Sequence, residues 1–252
     1  MNEQVERDVM EYDVLIIGGG PSGLSSAIKV KQLASAEGKE VSVCVLEKGS
    51  EIGAHILSGN VFEPTALNEL IPDWKEKEAP LNSPATKDIV KFMISENSSF
   101  NIPFPSFLIP TFNNHGNYVM SLANFTRWLA TQAESLGVEI FPGFTAAEVI
   151  FEENVVKGVL TGEMGISKDG EKKPSYQPSM ELRGKYTVFA EGCRGHLGKQ
   201  LIKKFNLDEN RDPQHYGIGF KEIWDISPED HKEGTVMHTM GWPSNGTISG
   251  SY

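Results

Sequence analysis

A glycine-rich turn between a buried strand and a helix constrains the fold of this chain more than any other feature. The apolar run Tyr12–Ile17 leads directly into the sequence GGGPSG at residues 18–23. Helically spaced apolar residues follow over Leu24–Ala36, and a second apolar run covers Val41–Leu46. Short runs without polar alternation are typical of strands buried on both faces of a parallel sheet. The pattern therefore predicts a βαβ unit with the glycine turn after its first strand.

The glycines of this turn, and an acid after the second strand, predict a dinucleotide site. Gly18 permits the tight turn, Gly20 lets a pyrophosphate approach the backbone, and Gly23 lets the helix pack on the strand. The helix N-terminus would face the phosphates with its free N–H groups and partial positive charge. Glu47 stands where a carboxylate can accept hydrogen bonds from ribose hydroxyls. The alternative is a structural glycine turn with an incidental surface glutamate, which leaves the rest of the fingerprint unexplained.

Later segments predict a sheet completed by further strands and a second, β-rich domain. Apolar runs indicate strands at 118–122, 138–141, 146–151, 155–161, 180–182 and 186–190. The three runs between 146 and 182 would form a β-meander, with a flexible loop at 165–178. Periodicity predicts helices at 64–74, at 124–136 with Asn124 as N-cap, and at 196–205.

Five prolines between residues 78 and 116 exclude a long helix or a central strand in that segment. We interpret it as an insertion, partly β, that joins a second β pattern beginning at Tyr216. The predicted domains are an α/β, Rossmann-like domain at 1–78 and 117–210 and a β-rich domain at 79–116 and 211–252. Because the sequence stops inside a strand-like pattern, we expect a fragment of a longer protein.

Composition excludes several classes of function. The net charge is −11, which disfavours nucleic acid because phosphate binding needs surplus Lys and Arg. No run approaches the about 20 apolar residues that span a bilayer. Two cysteines without CxxC spacing predict neither a disulfide framework nor a metal site, and we expect two buried or half-buried thiols. The acidic N-terminus has the features of neither a secretory signal nor a transit peptide.

Three features favour FAD over NAD as the dinucleotide. The helix is followed by the loop GAHILSG at 53–59 and not by a repeated βα half. A β-meander precedes the third sheet strand, and that strand ends in a second glycine turn, AEGCRG at 190–195. These features are typical of two-domain flavoproteins of the glutathione reductase and hydroxybenzoate hydroxylase type.

Specific stretches over essentially the whole chain resemble the electron-transfer flavoprotein:ubiquinone oxidoreductase family. The most specific are AHILSG at 54–59, NNHGNY at 113–118 and AEGCRGHL at 190–197. The resemblance implies an oxidoreductase that passes electrons from reduced electron-transfer flavoprotein through FAD to membrane ubiquinone. It implies that the domain at 1–78 and 117–210 binds FAD and that the domain at 79–116 and 211–252 is an incomplete ubiquinone-binding domain. It also implies a [4Fe-4S] cluster whose cysteines lie in a C-terminal domain beyond this chain, and a monotopic attachment to a membrane surface.

The resemblance also implies site residues. Those matched to FAD contacts are Gly18, Gly20, Pro21, Ser22, Gly23, Glu47, Lys48, His55, Leu57, Ser58, Gly59, Glu191 and Gly192. Ser249 and Gly250 match a Gly-Gly pair that borders the quinone pocket, and Ser249 departs from that pattern. No catalytic acid or base and no metal ligand is predicted. Arg127 is interpreted as a surface cation.

Two alternative functions remain open from the sequence. One is a geranylgeranyl-reductase-like or aromatic-hydroxylase-like flavoenzyme of the same fold, and the other is a non-catalytic FAD-binding fragment. The apolar stretches 62–74 and 100–112 belong either to a core or to a membrane-facing surface, and the resemblance favours membrane contact around 55–76. We expect the inner face of a respiratory membrane, a bacterial cytoplasmic membrane if no transit peptide has been removed and otherwise the mitochondrial inner membrane.

Overall fold

The predicted βαβ unit opens the fold. A computed structural model describes residues 7–57, 59–103, 112–243 and the backbone of 249–251. β1 covers Val9–Ile17, α1 Pro21–Ala36 and β2 Val43–Glu47. The helix begins at Pro21, three residues before the predicted start, because proline's fixed φ and missing N–H suit the first helical position. The glycine turn therefore lies directly against the first turn of α1.

The βαβ unit is the centre of a six-stranded sheet in the order β8-β2-β1-β13-β10-β9. Its other strands are β8 (Val138–Pro142), β9 (Ala146–Glu152), β10 (Val155–Thr161) and β13 (Glu181–Phe189). β1 runs parallel to β2 and β13, and β2 runs parallel to β8. β10 pairs antiparallel with β13 and β9. Helix α3 covers Leu122–Ser135, and helix α4 covers His196–Phe205.

The sheet is buried as its apolar sequence predicts. Leu15 and Ile16 of β1, Val45 of β2 and Leu24 of α1 are each 0% exposed. Full burial of such a side chain contributes about 1.5–3 kcal/mol. The core therefore fixes the ends of β1 and β2, from which the glycine turn and Glu47 project.

The structure corrects two predictions about the β-meander. The runs at 180–182 and 186–190 belong to one strand, β13, because Gly184 continues the ladder opposite Tyr12. A Cβ on Gly184 would lie 2.8 Å from the Tyr186 carbonyl oxygen and 2.9 Å from Leu15 Cβ, so this glycine marks close packing and not a break. The predicted loop at 165–178 contains a hairpin of β11 (Met164–Ile166) and β12 (Lys172–Gln177).

A second group of strands forms two smaller sheets. A four-stranded sheet has the order β15-β14-β5-β6, built from β5 (Lys87–Ser95), β6 (Ser98–Asn101), β14 (Thr235–Gly241) and β15 (Ser249–Ser251). A three-stranded sheet contains β3 (Asn60–Phe62), β7 (Tyr118–Met120) and β4 (Ser83–Pro84). The exclusion of a central strand from 78–116 was wrong, because β5 lies inside its sheet in a stretch free of proline.

Two other predictions in this part of the chain need correction. Residues 216–226 form no strand in the structure, and Phe220 and Trp224 are 93% and 73% exposed. Helix α3 begins at Leu122 and not after Asn124, because the Ser121 hydroxyl accepts a hydrogen bond from the Asn124 N–H at 3.3 Å and so takes the capping position.

The apolar face predicted at 62–74 packs into protein. Helix α2 is short, Thr65–Leu70, and Leu67, Ile71 and Trp74 are all buried. Trp74 donates its indole N–H to Asn68 at 2.7 Å and meets Tyr118 edge-on. Residues 104–111 of the other apolar stretch lie outside the described residues. No helix of the described chain combines the length and apolarity that crossing a membrane requires.

The chain divides into two compact units, residues 1–56 with 126–218 and residues 57–125 with 219–252. Each unit is discontinuous in sequence, as is each predicted domain. The unit boundaries differ from the predicted ones at 78, 116 and 210. The compact units are defined by contacts between residues, whereas the predicted domains are defined by the ligand that each binds. The division of the chain into two ligand-binding domains therefore stays a prediction.

Candidate cofactor site

A cavity of about 670 Å³ opens in the first unit at the carboxyl ends of the parallel strands. Ile17 of β1, Leu46 of β2 and Phe189 of β13 each contribute to its wall. Ligands of open α/β sheets bind at this edge, where neighbouring strands connect in opposite directions. The volume lies within the range of about 300–1,000 Å³ that is usual for ligand and cofactor sites.

Each fingerprint glycine has a different steric environment. Gly18 has φ +113°, and a Cβ there would lie 2.4 Å from the Ala190 carbonyl oxygen. A Cβ on Gly23 would lie 2.0 Å from the Gly18 carbonyl oxygen. A Cβ on Gly20 would meet nothing within 4 Å, and Gly20 lines the cavity. Gly18 and Gly23 are therefore required by the protein's own packing, whereas Gly20 keeps open space above the helix N-terminus.

That open space suits a phosphate group. Gly20 is the N-cap of α1, and as a glycine it has no side chain that could cap the helix with a hydrogen bond. Pro21 and Ser22 of the first turn also line the cavity. The first N–H groups of a helix lack partners within the helix, and they attract anions together with the helix dipole. The turn therefore fits the pyrophosphate of a dinucleotide.

Glu47 organises both loops beside the cavity. Its Oε2 accepts a hydrogen bond from the Gly19 N–H at 2.9 Å, and its Oε1 accepts one from the Gly49 N–H at 2.7 Å. A carboxylate offers about four lone-pair sites, so about two remain for ribose hydroxyls. The neighbouring Lys48 lines the cavity and is exposed. Glu47 thus holds the glycine turn and still has acceptor capacity for a cofactor.

Replacing Glu47 by alanine is expected to weaken FAD binding by about 1–3 kcal/mol, because it removes a charge-assisted acceptor and leaves two backbone donors without a partner. Isothermal titration of apoprotein with FAD measures the change. Glu51→Ala is the control, since this acid, four residues further along the chain, is 63% exposed and pairs with Arg127. Equal affinities for Glu47→Ala and the unmodified protein would remove Glu47 from the site.

Glu191 acts mainly through the protein. Its Oε2 accepts a hydrogen bond from the Gly198 N–H at 2.7 Å and its Oε1 accepts one from the Leu197 N–H at 3.2 Å. It thereby caps α4 and fixes the second glycine turn, in which Gly192 adopts φ +80°. Both residues line the cavity, so we assign Glu191 as a positioning residue at the wall of the site.

The predicted loop contacts divide into two groups. His55 lies in an exposed turn and lines the cavity. Leu57 and Gly59 belong to the second unit. There Leu57 is 64% exposed, and the Gly59 carbonyl accepts a hydrogen bond from Lys221 at 2.6 Å. Ser58 lies outside the described residues, so the role of this loop beyond His55 stays a prediction.

The structure adds cavity residues that the sequence analysis did not single out. Arg194 lines the cavity, and its guanidinium lies 5.2 Å from the centre of the Tyr216 ring. Phe144 and Thr145, just before β9, form another part of the wall. An arginine inside the AEGCRG turn was a usable signal for Arg194, whereas nothing in the sequence around residue 144 indicates its position.

The two cysteines are free thiols in different surroundings. Cys44 is fully buried, and its burial raises the pKa of the thiol to about 12, with a further contribution from Glu139. Cys193 is exposed, which corrects the expectation of two buried or half-buried thiols. No group of three or more His, Cys, Asp or Glu side chains within the described residues could hold a metal ion.

Ser249 and Gly250, the predicted quinone-site residues, lie on β15. Their backbones pair antiparallel with Met240 and Thr239 of β14. This places the predicted pair in the four-stranded sheet of the second unit, and its role stays a prediction.

Structural comparison gives the class of protein. A geranylgeranyl bacteriochlorophyll reductase-like protein from Thermoplasma acidophilum superposes with a TM-score of 0.56 over 93% of this chain and 51% of that chain, at 17% identity. The structure of FqzB gives a TM-score of 0.50 over 77% of this chain and 38% of that chain, at 16% identity. A family model described as an NAD(P)-binding Rossmann-like domain matches residues 16–71. The chain therefore has an α/β, Rossmann-like fold, which confirms the predicted fold class.

Sequence comparison then gives the family. The electron transfer flavoprotein-ubiquinone oxidoreductase of Pseudomonas aeruginosa is 59% identical over 98% of this chain and 45% of its own length. The human mitochondrial protein of that name is 49% identical over 98% of this chain and 40% of its own length. A model described as ETF-QO, ubiquinone-binding, matches residues 216–252. The chain belongs to the electron transfer flavoprotein-ubiquinone oxidoreductase family, and it spans less than half the length of these relatives.

Proposed function

We propose that this chain binds FAD in the cavity of its first unit and serves a protein that passes electrons from reduced electron-transfer flavoprotein to ubiquinone. The observation that carries the proposal is the open cradle above Gly20 at an uncapped helix N-terminus, in a chain whose relatives carry that activity in their name. Bound FAD would supply electron exchange in one- or two-electron steps, which suits a one-electron donor and a two-electron acceptor.

The chain's own residues bind and orient the cofactor. The first turn of α1 takes the pyrophosphate, and Glu47 takes the ribose of the adenosine half while it holds Gly19 and Gly49. Arg194 adds a cation at the wall of a cavity that also contains two acids, Glu47 and Glu191. Because both acids are engaged with backbone N–H groups, their charge is partly balanced before an anionic cofactor arrives.

The remaining partners are proposals that rest on the family. We propose that the acceptor is ubiquinone, in agreement with the family model over 216–252, and that the protein works at the inner face of a respiratory membrane. We also propose that the complete protein carries a [4Fe-4S] cluster. The alternative of a geranylgeranyl-reductase-like or aromatic-hydroxylase-like flavoenzyme rests on a neighbour that shares only the fold, at 17% identity.

The test measures cofactor and donor together. Purified protein is expected to contain one FAD per chain, and reduced electron-transfer flavoprotein is expected to reduce that FAD under anaerobic conditions while NADPH does not. Flavin absorbance records both reactions in a stopped-flow instrument. Protein that neither contains nor takes up FAD contradicts the proposal, and rapid reduction by NADPH moves the assignment to the hydroxylase class.

A further inference from the structure

The NNHGNY segment at 113–118 organises a polar cluster in the second unit that the proposed FAD site does not use. The Asn114 backbone N–H donates to Asp88 Oδ2 at 3.0 Å, and its side-chain amide donates to Asp88 Oδ1 at 2.7 Å. The same amide nitrogen lies 3.5 Å from His238 Nε2. Asp88 is on β5 and His238 on β14, so one asparagine connects side chains of two neighbouring strands of the four-stranded sheet.

Asp88 determines which way the Asn114 amide faces. A carboxylate accepts hydrogen bonds only, so it selects the NH₂ group of Asn114 and excludes the flipped amide, whose oxygen would oppose Asp88 Oδ1. The Asn114 amide nitrogen lies 3.5 Å from His238 Nε2, and because this nitrogen can only donate, a hydrogen bond between the two requires Nε2 to be the acceptor. The neutral ring consequently carries its proton on Nδ1. In this tautomer His238 is a hydrogen-bond donor through Nδ1.

His238 also has aromatic and aliphatic neighbours. The Phe112 ring centre lies 4.9 Å from the centre of the His238 ring. His238 pairs with Val90 on β5, and one pleat further along the same face Met240 pairs with Phe92. Phe92 packs on Phe100 of β6, with ring centres 5.6 Å apart, and these two side chains are 37% and 52% exposed. The face of the sheet that carries His238 therefore also carries exposed aromatic side chains.

We propose that His238 binds a quinone ring by donating a hydrogen bond from Nδ1 to one of its carbonyl oxygens, with the ring or its tail on the aromatic surface of Phe92 and Phe100. A quinone has carbonyl acceptors on a flat apolar ring, so it needs this combination of a donor and an apolar wall. His238 lies within the segment matched by the ubiquinone-binding model, 216–252. It also pairs with Ser251 of β15, next to Ser249 and Gly250. The inference rests on the proposed function and names a residue for its acceptor site.

The test is the affinity of purified, FAD-loaded protein for ubiquinone-1, measured by isothermal titration calorimetry. His238→Leu is expected to raise Kd about tenfold, the effect of losing one hydrogen bond of about 1.4 kcal/mol. His238→Asn, whose amide N–H lies close to the position of Nδ1, is expected to stay within about threefold of the unmodified protein, as a hydrogen bond largely retained requires. His231→Leu is the control, because this histidine of the same segment is exposed. Asn114→Ala is expected to fall between the two His238 variants, since it releases the ring's orientation.

The possible results distinguish a failure of the proposed function from a failure of the role assigned to His238. No binding by the unmodified protein contradicts the proposed function, and the inference falls with it. Binding by the unmodified protein and equally tight binding by His238→Leu contradict the role of His238 alone. If His238→Leu does not fold, His238→Asn decides, and a Kd raised about tenfold in a folded, FAD-containing Asn variant overturns the hydrogen-bond assignment.

Discussion

Replacing Gly20 by valine is expected to give a folded protein that is purified without FAD. The backbone of Gly20 has φ −79° and ψ 178°, which any residue can adopt, and its Cβ would meet no protein atom within 4 Å. The valine side chain would occupy the space above the helix N-terminus that a pyrophosphate needs. Affinity for FAD should fall by at least about a hundredfold, since the change blocks the approach of several N–H donors that are each worth about 1 kcal/mol or more.

Flavin absorbance and titration of the apoprotein with FAD measure this loss, while circular dichroism and thermal unfolding of the apoprotein verify that the fold persists. Stoichiometric FAD in a folded Gly20→Val protein would contradict the cofactor site as assigned. Gly217→Ala, at another glycine with open space around it, should change neither property.

Replacing Gly23 by alanine is expected to produce the opposite pattern, a loss of stability that precedes any effect on cofactor. The added methyl group would lie 2.0 Å from the Gly18 carbonyl oxygen and 3.2 Å from a methyl group of Ile16. Both atoms belong to the buried β1–α1 contact, so relief requires the helix to move away from the sheet. Overpacking of this kind typically costs about 1–3 kcal/mol and occasionally more, and a backbone contact places Gly23 at the upper end of that range.

Denaturant unfolding of the apoprotein measures the change in free energy, with Gly20→Ala as the matched control in the same turn. An apoprotein of unchanged stability would show that α1 can shift without cost, and the packing role of Gly23 would be wrong. Comparison of Gly20 with Gly23 distinguishes a glycine that ligand binding requires from a glycine that packing of the fold requires.

The sequence was sufficient for the parts of the fold that local pattern determines. The strand, glycine turn, helix and second strand of the βαβ unit follow from uninterrupted apolar runs, from helical spacing and from the φ that Gly18 requires. Helix α4 lies where its periodicity predicts, at His196–Phe205. These elements also carry the cavity, so its location at the ends of β1, β2 and β13 could be predicted.

Partners distant in sequence account for the differences. Gly184 resembles a strand break until it is seen to pack against Leu15, and the hairpin at 164–177 has too little apolar pattern to be distinguished from a loop. The segment 216–226 alternates as a strand should, yet a strand needs a neighbouring ladder, and none of the described strands supplies one. The backbone partners of Glu47 and Glu191 could not be predicted either, because the folded turns bring these N–H groups to the two carboxylates.

The pairing of β1 with β13 has a consequence for how the protein is made. β1 lies between β2, which follows it closely in the chain, and β13, whose Glu181 pairs with Val9. On a ribosome, β1 and β2 therefore emerge long before β13, and one edge of β1 has no partner until β13 has been synthesised. Pairings this distant in sequence form slowly, and an open apolar edge is where nascent chains associate wrongly. The second glycine turn is fixed only when β13 arrives, so the nascent chain cannot rely on its cofactor to protect that edge.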